Sequence, residues 1–430
     1  MRVKLRRALV LGIGVTLLAS ACGSDDGESA GETSAPEATE AAGEEGAPTR
    51  SDADLVIWAD ATKGPVLEPI ADAFGEDNGI TVDVQVVSSD LQSNFVTADA
   101  AGNGPDVVVG AHDWIGNLVQ NGSIAPLQLS ADQLSAYNPK AVESVTYNGQ
   151  VYGLPYGVEG LALYRNTDVA PDEVASLDEA ISIGQAAVDE GTVEVAISLP
   201  VGDNGDAYHM HPIYTSMGGY LFGTDAEGGY DPTDLGVGQQ GSLDAAQKIY
   251  DLGEAGEGVL SRSVSVDNNI ALFTDGNAAF LVSGPWALND VQASGVPYAV
   301  QAFPGFDGQD PAAPFMGAQS FMVAANGANQ AFAQEFATNG MNNEEAMTEL
   351  FEATKLPPSM TSVAEAIAAD NPDIAVFAEA AEAFQPMPAI PAMSAVWEPL
   401  SQAYAAIVGG ADPTETMTQT GDTINAAIGN

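Results

Sequence analysis

Short apolar runs alternate with segments of helical periodicity along the first part of the chain. Residues 54–60 (DLVIWAD) form an apolar run typical of a buried strand, whereas in 65–77 the apolar positions recur at helical spacing. Residues 80–87 and 105–110 repeat the strand pattern. A strand, a helix and a further strand in this order predict an α/β fold with crossover connections.

The same pattern continues further along the chain and then changes. More strands are predicted by apolar runs at 191–199, 278–284, 298–304 and 320–326. The C-terminal part is instead rich in alanine and amphipathic. It predicts helices at 328–338, 343–354, 361–369, 373–384 and 399–408. We find no internal repeat.

The first 53 residues differ in composition from the rest. Residues 1–21 have a basic start, an apolar run and then small residues, which is typical of a secretory signal and short for a transmembrane helix. The run ends in LASAC, similar to a lipobox, in which Cys22 carries lipid after cleavage; the alternative is a free cysteine after an ordinary signal. Residues 22–53 lack aromatic and large aliphatic residues, so we expect a disordered acidic tether.

Charge narrows the class of partner. The chain has 11 basic and 60 acidic residues, a formal net charge of −49. Such a charge disfavours nucleic acid and anionic membrane surfaces as partners. Solubility is the simpler explanation of the acidity, and an acidic binding surface is the alternative. Basic residues are rare beyond the tether, so a lysine beside a motif stands out.

Five stretches of the sequence carry a resemblance to a known family. They are LVIWADATKGP, GNGPDVVVGAHDWIGNLVQNGSIAPL, YNGQVYGLPYGVEGLALYRNTDV, FTDGNAAFLVSGPWAL and PMPAIPAMSAVW. In this order and spacing they resemble the maltose/maltodextrin-type extracellular solute-binding proteins (family 1) of bacterial ABC sugar importers.

The resemblance implies a type II periplasmic-binding-protein fold, an α/β fold in which each of two lobes is a mixed sheet flanked by helices. The ligand cleft lies at the hinge. The lobes are discontinuous in sequence: 54–157 plus 316–368 form the first and 158–315 plus 373–430 the second. The resemblance also implies a small carbohydrate ligand, membrane permease subunits as partners, a monomer and no cofactor.

Polar residues near strand ends are the candidate ligand contacts of the first lobe. Lys63 follows the first predicted strand, and strand carboxyl ends face the ligand crevice in such folds. Asp113 matches a family position that contacts sugar hydroxyls, the alternative being a helix N-cap. Trp114 replaces a common basic residue and is a candidate stacking ring. Glu159 has apolar neighbours, so its carboxylate needs either a ligand hydroxyl or a hinge hydrogen bond.

Aromatic residues are the candidate contacts of the second lobe, because the C–H faces of a sugar pack on flat rings. Trp286 follows Gly284–Pro285, a sequence that suits a helix start. Trp397 follows the proline-rich arm 386–391, which excludes a helix there. Both match family tryptophans, whereas Tyr208 aligns more loosely with a family tyrosine.

The sequence contains none of the catalytic motifs GxSxG, HExxH or the P-loop. His209 and His211 would supply half a metal site, but the third histidine is distant in sequence, so no metal site is predicted. The sequence favours a lipoprotein that captures maltose, maltodextrin or a similar α-glucoside for an ABC transporter and is not an enzyme. The alternatives are a protein that binds another disaccharide or a polyol, and a secreted glycosidase, which uses similar residue types.

Overall fold

Residues 48–226, 228–383 and 385–429 are described by the computed structural model. The predicted signal peptide and Cys22 lie outside the described residues, as does the predicted tether up to residue 47. Within the described ranges, no helix combines the length and apolar character that crossing a membrane requires.

Strands and helices alternate along the chain, as the apolar pattern predicts. The strands are β1 Leu55–Ala59, β2 Val82–Val86, β3 Val107–Ala111, β4 Ile124–Ala125, β5 Thr146–Tyr147, β6 Gln150–Val151, β7 Gly153–Glu159, β8 Ala162–Asn166, β9 Val195–Ser198, β10 Phe222–Thr224, β11 Tyr230–Leu235, β12 Ala278–Ser283, β13 Tyr298–Gln301 and β14 Gly317–Ala324.

The α-helices are α1 Gly64–Asn78, α2 Leu91–Ala100, α3 Ile115–Gln120, α4 Ala131–Leu134, α5 Pro139–Ser144, α6 Leu177–Asp189, α7 His211–Ser216, α8 Gln240–Leu252, α9 Asn269–Thr274, α10 Leu288–Ser294, α11 Gln330–Glu335, α12 Glu344–Thr354, α13 Thr361–Ala368, α14 Pro372–Ala383, α15 Trp397–Val408 and α16 Pro413–Ile428. Short 3-10 helices lie at His112–Trp114, Pro285–Ala287 and Pro391–Ala395, and a π-helical turn lies at Phe336–Gly340.

The first sheet has the strand order β2-β1-β3-β14-β4, and β7 also pairs with β14. Strand β1 is parallel to β2 and β3, whereas β14 is antiparallel to β3, β4 and β7. Parallel neighbours require crossover connections, which α1 and α2 provide. The late strand β14 ties a distant part of the chain into this sheet.

The second sheet has the strand order β13-β8-β12-β9. Strand β12 is parallel to β9 and antiparallel to β8, which is in turn antiparallel to β13. Two small two-stranded sheets, β5 with β6 and β10 with β11, lie outside the two large ones.

Both large sheets bury both of their faces. In β1, Leu55 and Ile57 belong to one apolar cluster, whereas Val56 and Trp58 belong to another. The two-residue repeat of a strand sends successive side chains to opposite faces, so a strand covered on both sides is apolar throughout. Trp58 is fully buried, as the prediction of a buried strand at residues 54–60 requires.

The predicted fold class is confirmed: the protein is mixed α/β, with mixed sheets flanked by helices. The first sheet draws its strands from 54–157 plus 316–368, apart from the last two residues of β7. The second sheet draws its strands from 158–315. The residue boundaries of the two lobes stay a prediction.

Arg50, which falls within the predicted tether, contacts the folded part in the described structure. Arg50 donates hydrogen bonds from Nη1 to the Gly104 carbonyl at 2.8 Å and from Nη2 to Asp106 Oδ2 at 2.7 Å. Asp106 is fully buried and also accepts from the backbone N–H groups of Val56 and Asn329, each at 2.8 Å. A buried carboxylate requires such partners, so Asp106 anchors this stretch to the start of β3.

Candidate ligand-binding site

Lys63 lies at the carboxyl end of the first sheet, directly before α1. Its backbone N–H donates to Asp60 Oδ1 at 3.0 Å, and its ammonium forms an ion pair with the same carboxylate. The residue is 9% exposed. A nearly buried cation paired with Asp60 therefore marks the end of β1, where the sequence predicts a ligand contact.

Asp113 lies in the 3-10 turn that follows β3, at the same edge of the first sheet. Its Oδ2 accepts a hydrogen bond from Nε1 of Trp397 at 3.3 Å. No side-chain hydrogen bond caps the turn or the helix after it, so the N-cap alternative is not observed. Burial raises the pKa of Asp113 to about 7; the Trp397 hydrogen bond opposes this shift and the charge of Glu159 adds to it.

Glu159 is the last residue of β7 and lies opposite Gly317 of β14. Gln319 donates from Nε2 to its Oε1 at 3.0 Å, so the carboxylate has a partner within the protein. Burial raises the pKa of Glu159, and the Gln319 hydrogen bond and the charge of Lys63 oppose the rise. A Cβ at position 317 would lie 2.6 Å from the Glu159 Cγ, so a glycine is required beside this side chain.

Four aromatic rings form a row beside these carboxylates. Trp397 is the first residue of α15, and its ring centroid lies 5.7 Å from that of Phe315. Phe315 stacks on Tyr208 at 5.9 Å, and Tyr208 lies 6.3 Å from Trp286. On another side Phe315 stacks on His211 at 3.6 Å with an interplanar angle of 6°. Phe315 therefore connects the rings predicted from the sequence.

Trp286 follows β12 in the 3-10 helix Pro285–Ala287. Its half-buried ring packs against apolar clusters that belong to both large sheets. A Cβ at Gly284 would lie 2.0 Å from the indole, so the missing side chain lets the ring lie close to the backbone. Trp286 is therefore placed between the two halves of the fold.

Tyr208 lies close to the carboxylates as well as to the rings. Its hydroxyl is buried and has no hydrogen-bond partner among the described residues. Burial raises its pKa well above the ordinary value, and the charges of Glu159, Asp206 and Asp113 add to the rise. Contacts or electrostatic interactions thus connect six of the predicted residues, which are Lys63, Asp113, Glu159, Tyr208, Trp286 and Trp397.

Trp114 has different surroundings. Its half-buried ring packs on the cluster that contains Trp58, on one face of the first sheet. A Cβ at Gly110 would lie 2.1 Å from this indole, which explains why glycine precedes the motif. The stacking of Trp114 on a ligand stays a prediction.

Sequence reasoning missed several residues of the site. Asp60 ends the first apolar run, and its position gave a signal equal to that of Lys63. Phe315 follows Pro314 in a segment without periodicity, so its place between Trp397 and Tyr208 had no signal. Gln319 could be identified only from the pairing of β14 with β7.

The histidine pair serves other contacts in the described structure. His209 Nδ1 lies 2.8 Å from Asp206 Oδ2, and His211 stacks on Phe315. Within the described residues no group of three or more histidine, cysteine or acidic residues is arranged to hold a metal ion.

The site combines two kinds of surface. Carboxylates form strong hydrogen bonds with hydroxyl donors, and aromatic planes pack on apolar C–H faces. The arrangement suits a ligand with hydroxyls along its edges and apolar faces between them.

Several known proteins are similar in sequence to this chain over most of its length. A galactooligosaccharide-binding protein of Bacillus subtilis is 28% identical over 383 residues, which cover 87% of this chain and 89% of the relative. A maltotriose-binding protein of Pyrococcus abyssi is 26% identical over 357 residues, 80% of this chain and 75% of its own. A maltooligosaccharide ABC transporter solute-binding lipoprotein of Streptococcus pneumoniae is 24% identical over 426 residues, 96% of this chain and 94% of its own.

The family profile described as bacterial extracellular solute-binding protein matches residues 69–382. This span includes both large sheets apart from β1, and most of the predicted ligand contacts. The chain therefore belongs to the bacterial extracellular solute-binding proteins.

Proposed function

We propose that this protein captures an oligosaccharide between its two halves and delivers it to the membrane permease subunits of an ABC importer. Maltose, a maltodextrin or a similar α-glucoside is the proposed ligand. The observation that carries the proposal is the aromatic row from Trp397 to Trp286, which lies beside the carboxylates of Asp113 and Glu159. The names of the maltotriose-binding and maltooligosaccharide-binding relatives support this class of ligand.

The origin of the contacts supports closure of two halves, one built around each large sheet. Asp113 follows a strand of the first sheet, whereas Trp397 begins a helix near the C-terminus, and one hydrogen bond joins them. A ligand that touches both groups favours the closed arrangement, because it gains contacts there that are absent when the halves separate. The closed form is then the one that the permease recognises.

A galactooligosaccharide is the second candidate ligand. A relative of that name aligns over 89% of its own length. Rings and carboxylates serve either class of sugar, since both offer hydroxyls and C–H faces. The difference lies in which hydroxyls the polar groups reach.

Titration calorimetry against a panel of sugars tests the proposal. Maltose, maltotriose, trehalose, sucrose and galactobiose cover the α-glucosides, other disaccharides and the galactoside candidate. We expect the tightest binding for maltose or maltotriose. A preference for galactobiose would establish the second candidate, and failure of every sugar to bind would contradict an oligosaccharide ligand.

Binding without turnover is part of the proposal. The protein belongs to a family described as solute-binding, and a glycosidase would use similar paired carboxylates. Incubation with excess maltotriose, followed by separation of the products, distinguishes the two. More than one equivalent of hydrolysed sugar would contradict a pure binding function.

Removal of either indole should weaken binding. We expect Trp286→Ala and Trp397→Ala each to reduce affinity by at least about tenfold, or about 1.4 kcal/mol, because each loses an aromatic plane for the sugar. Affinity is measured by calorimetry, and a thermal unfolding curve of each variant checks that the fold persists. Full affinity in both variants would place the ligand elsewhere.

A further inference from the structure

Tyr156 occupies an irregular position in β7. Along the pairing of β14 with β7, Gln319 lies opposite Gly157 and the next residue, Ser320, lies opposite Pro155. Tyr156 is therefore the extra residue of a β-bulge. Bulges interrupt the regular alternation of side chains and redirect them, and they are common beside functional sites.

The bulge places Tyr156 on the same face of the strand as Glu159. Leu154 and Tyr156 belong to one apolar cluster. A Cβ on Gly157 would lie 2.8 Å from the Leu356 Cβ of that same cluster, so positions 156 and 157 face the same side. The regular repeat then resumes, and position 159 returns to this side. Without the bulge, residues three apart would face opposite sides.

The hydroxyl of Tyr156 is buried beside charged groups and is unpaired. The residue is 2% exposed, and its Oη has no hydrogen-bond partner among the described residues. Burial raises its pKa well above the ordinary value, and the charges of Asp60 and Glu159 add to the rise. The phenol is therefore protonated at neutral pH, and its hydroxyl can donate a hydrogen bond. A buried donor without a partner lowers the stability of the folded protein, unless a bound ligand supplies an acceptor.

We infer that Tyr156 is a specificity-determining residue of the ligand site, whose hydroxyl donates to a sugar hydroxyl that is also held by Glu159. This inference rests on the proposed function, because it assumes a sugar at this site. Tyr208 presents a second unpaired hydroxyl near the same carboxylate. The two phenols and Glu159 would together select a sugar that has a hydroxyl at the ring position facing them. A ligand without this hydroxyl would leave these buried groups unpaired.

Tyr404 provides a matched control within the same chain. It is fully buried, and its hydroxyl also lacks a partner among the described residues. It packs in the core of the second sheet, and its ring lies 6.2 Å from that of Tyr214. Burial raises the pKa of Tyr404 well above its ordinary value, and the neighbouring Tyr214 adds to the rise. Tyr404 thus shares the buried hydroxyl of Tyr156 but lacks the nearby carboxylates.

The test compares Tyr156→Phe with Tyr404→Phe, each of which removes one hydroxyl and keeps the ring. Maltotriose and galactobiose are the calorimetric probes, and urea unfolding gives the stability of the free protein. We expect Tyr156→Phe to bind the preferred probe at least about tenfold more weakly, while the free protein is as stable as the wild type or more stable. Tyr404→Phe should show a similar stability and unchanged affinity.

Glu159→Gln separates the failure of this inference from the failure of the proposed function. If Glu159→Gln weakens binding and Tyr156→Phe does not, Tyr156 is a structural residue and the inference is overturned, while the sugar site stands. If Tyr404→Phe weakens binding as much as Tyr156→Phe, the effect is a general one of packing and the inference also falls. If the wild type binds neither probe, the inference and the oligosaccharide assignment fail together.

Discussion

At the scale of single residues, burial has the largest effect on the pKa of Asp113. An unfolded aspartate has a pKa of about 3.9, whereas burial raises the pKa of Asp113 to about 7 in the folded protein. The folded protein therefore holds this proton more tightly than the unfolded chain does. Its contribution to stability is present in full below about pH 4 and is lost as the pH rises through about 7.

Asp113→Asn should remove this pH dependence, because an amide does not ionise. We expect the variant to become progressively more stable than the wild type between pH 5 and pH 8, by on the order of a few kcal/mol at the upper end. Thermal unfolding of both proteins across this range is the measurement.

Asp54→Asn is the opposite-sign control for that experiment. Hydrogen bonds from Thr81 lower the pKa of Asp54, so the wild-type residue contributes stability at higher pH that is lost on acidification. The Asp54 variant should therefore lose stability relative to the wild type as the pH rises to about 4, and the difference should stay constant between pH 5 and pH 8, so the unfolding series is extended into the acid range. An Asp113 effect that does not vary with pH would show that its carboxyl titrates normally.

Residues at the ends of apolar runs were the easiest members of the candidate site to propose from sequence. Lys63 and Asp113 follow predicted strands, and the edge of a sheet brings such positions together. Tyr156 gave no such signal, because its direction depends on a bulge in the pairing with β14. The sequence alone does not contain the register of strands that are far apart in the chain.

At the scale of elements, glycine and proline explain why the apolar pattern did not predict β7. The predicted strands at 54–60, 80–87 and 105–110 correspond to β1, β2 and β3. Strand β7 contains Gly153, Pro155 and Gly157, which normally weaken a strand. In the structure the glycine at position 153 allows close packing, because a Cβ there would lie 2.8 Å from Ser320 Cβ. Close packing on a central strand overrides the local preference.

The predicted C-terminal helices are present with small shifts at their ends. The helix predicted at 343–354 is Glu344–Thr354, and that at 399–408 begins two residues earlier, at Trp397. The segment predicted as one helix at 328–338 is α11 followed by a π-helical turn at Phe336–Gly340. Apolar periodicity is similar in both kinds of helix, so the change of type was not visible.

Two glycines beside tryptophans offer a test at this scale. Gly284→Ala would place a Cβ 2.0 Å from the Trp286 indole, and Gly110→Ala would place one 2.1 Å from that of Trp114. Each change should cost about 1–3 kcal/mol of stability, since a rigid ring must move. Gly284→Ala should also weaken sugar binding, because Trp286 is displaced from the aromatic row.

The Gly110 variant decides the role of Trp114. If Trp114 stacks on the ligand as the sequence predicts, Gly110→Ala weakens binding too. Calorimetry with maltotriose compares the two variants, and unfolding midpoints confirm that both are folded at the assay temperature. An unchanged affinity in Gly110→Ala would assign Trp114 to the core of the first sheet alone.

At the scale of the whole molecule, attachment to the membrane cannot rely on charge. A net charge of −49 is repelled by anionic lipid head groups, so a covalent lipid is the means of attachment that the sequence offers. We propose that Cys22 carries it and that residues 23 to 47 lead from the anchor to the folded part. The pneumococcal relative is named a lipoprotein, which supports this proposal.

Cys22→Ser should release the protein from the cell. Cys22 is the single cysteine of the chain and lies outside the described residues, so the change removes the lipid attachment point without altering a described contact. We expect the variant in the medium or the soluble periplasmic fraction and the wild type in the membrane fraction, as measured by immunoblot. A variant that stays with the membrane would disprove anchoring through this residue.

The distribution of the four tryptophans gives the protein an intrinsic optical signal. Trp58 is fully buried in the first sheet, whereas Trp286 and Trp397 are half-buried beside Tyr208 and Phe315. A sugar bound against the latter two indoles would replace water around them and shift their fluorescence emission. The emission of Trp58 would not change. Ligand capture in this protein would then be visible without any attached dye.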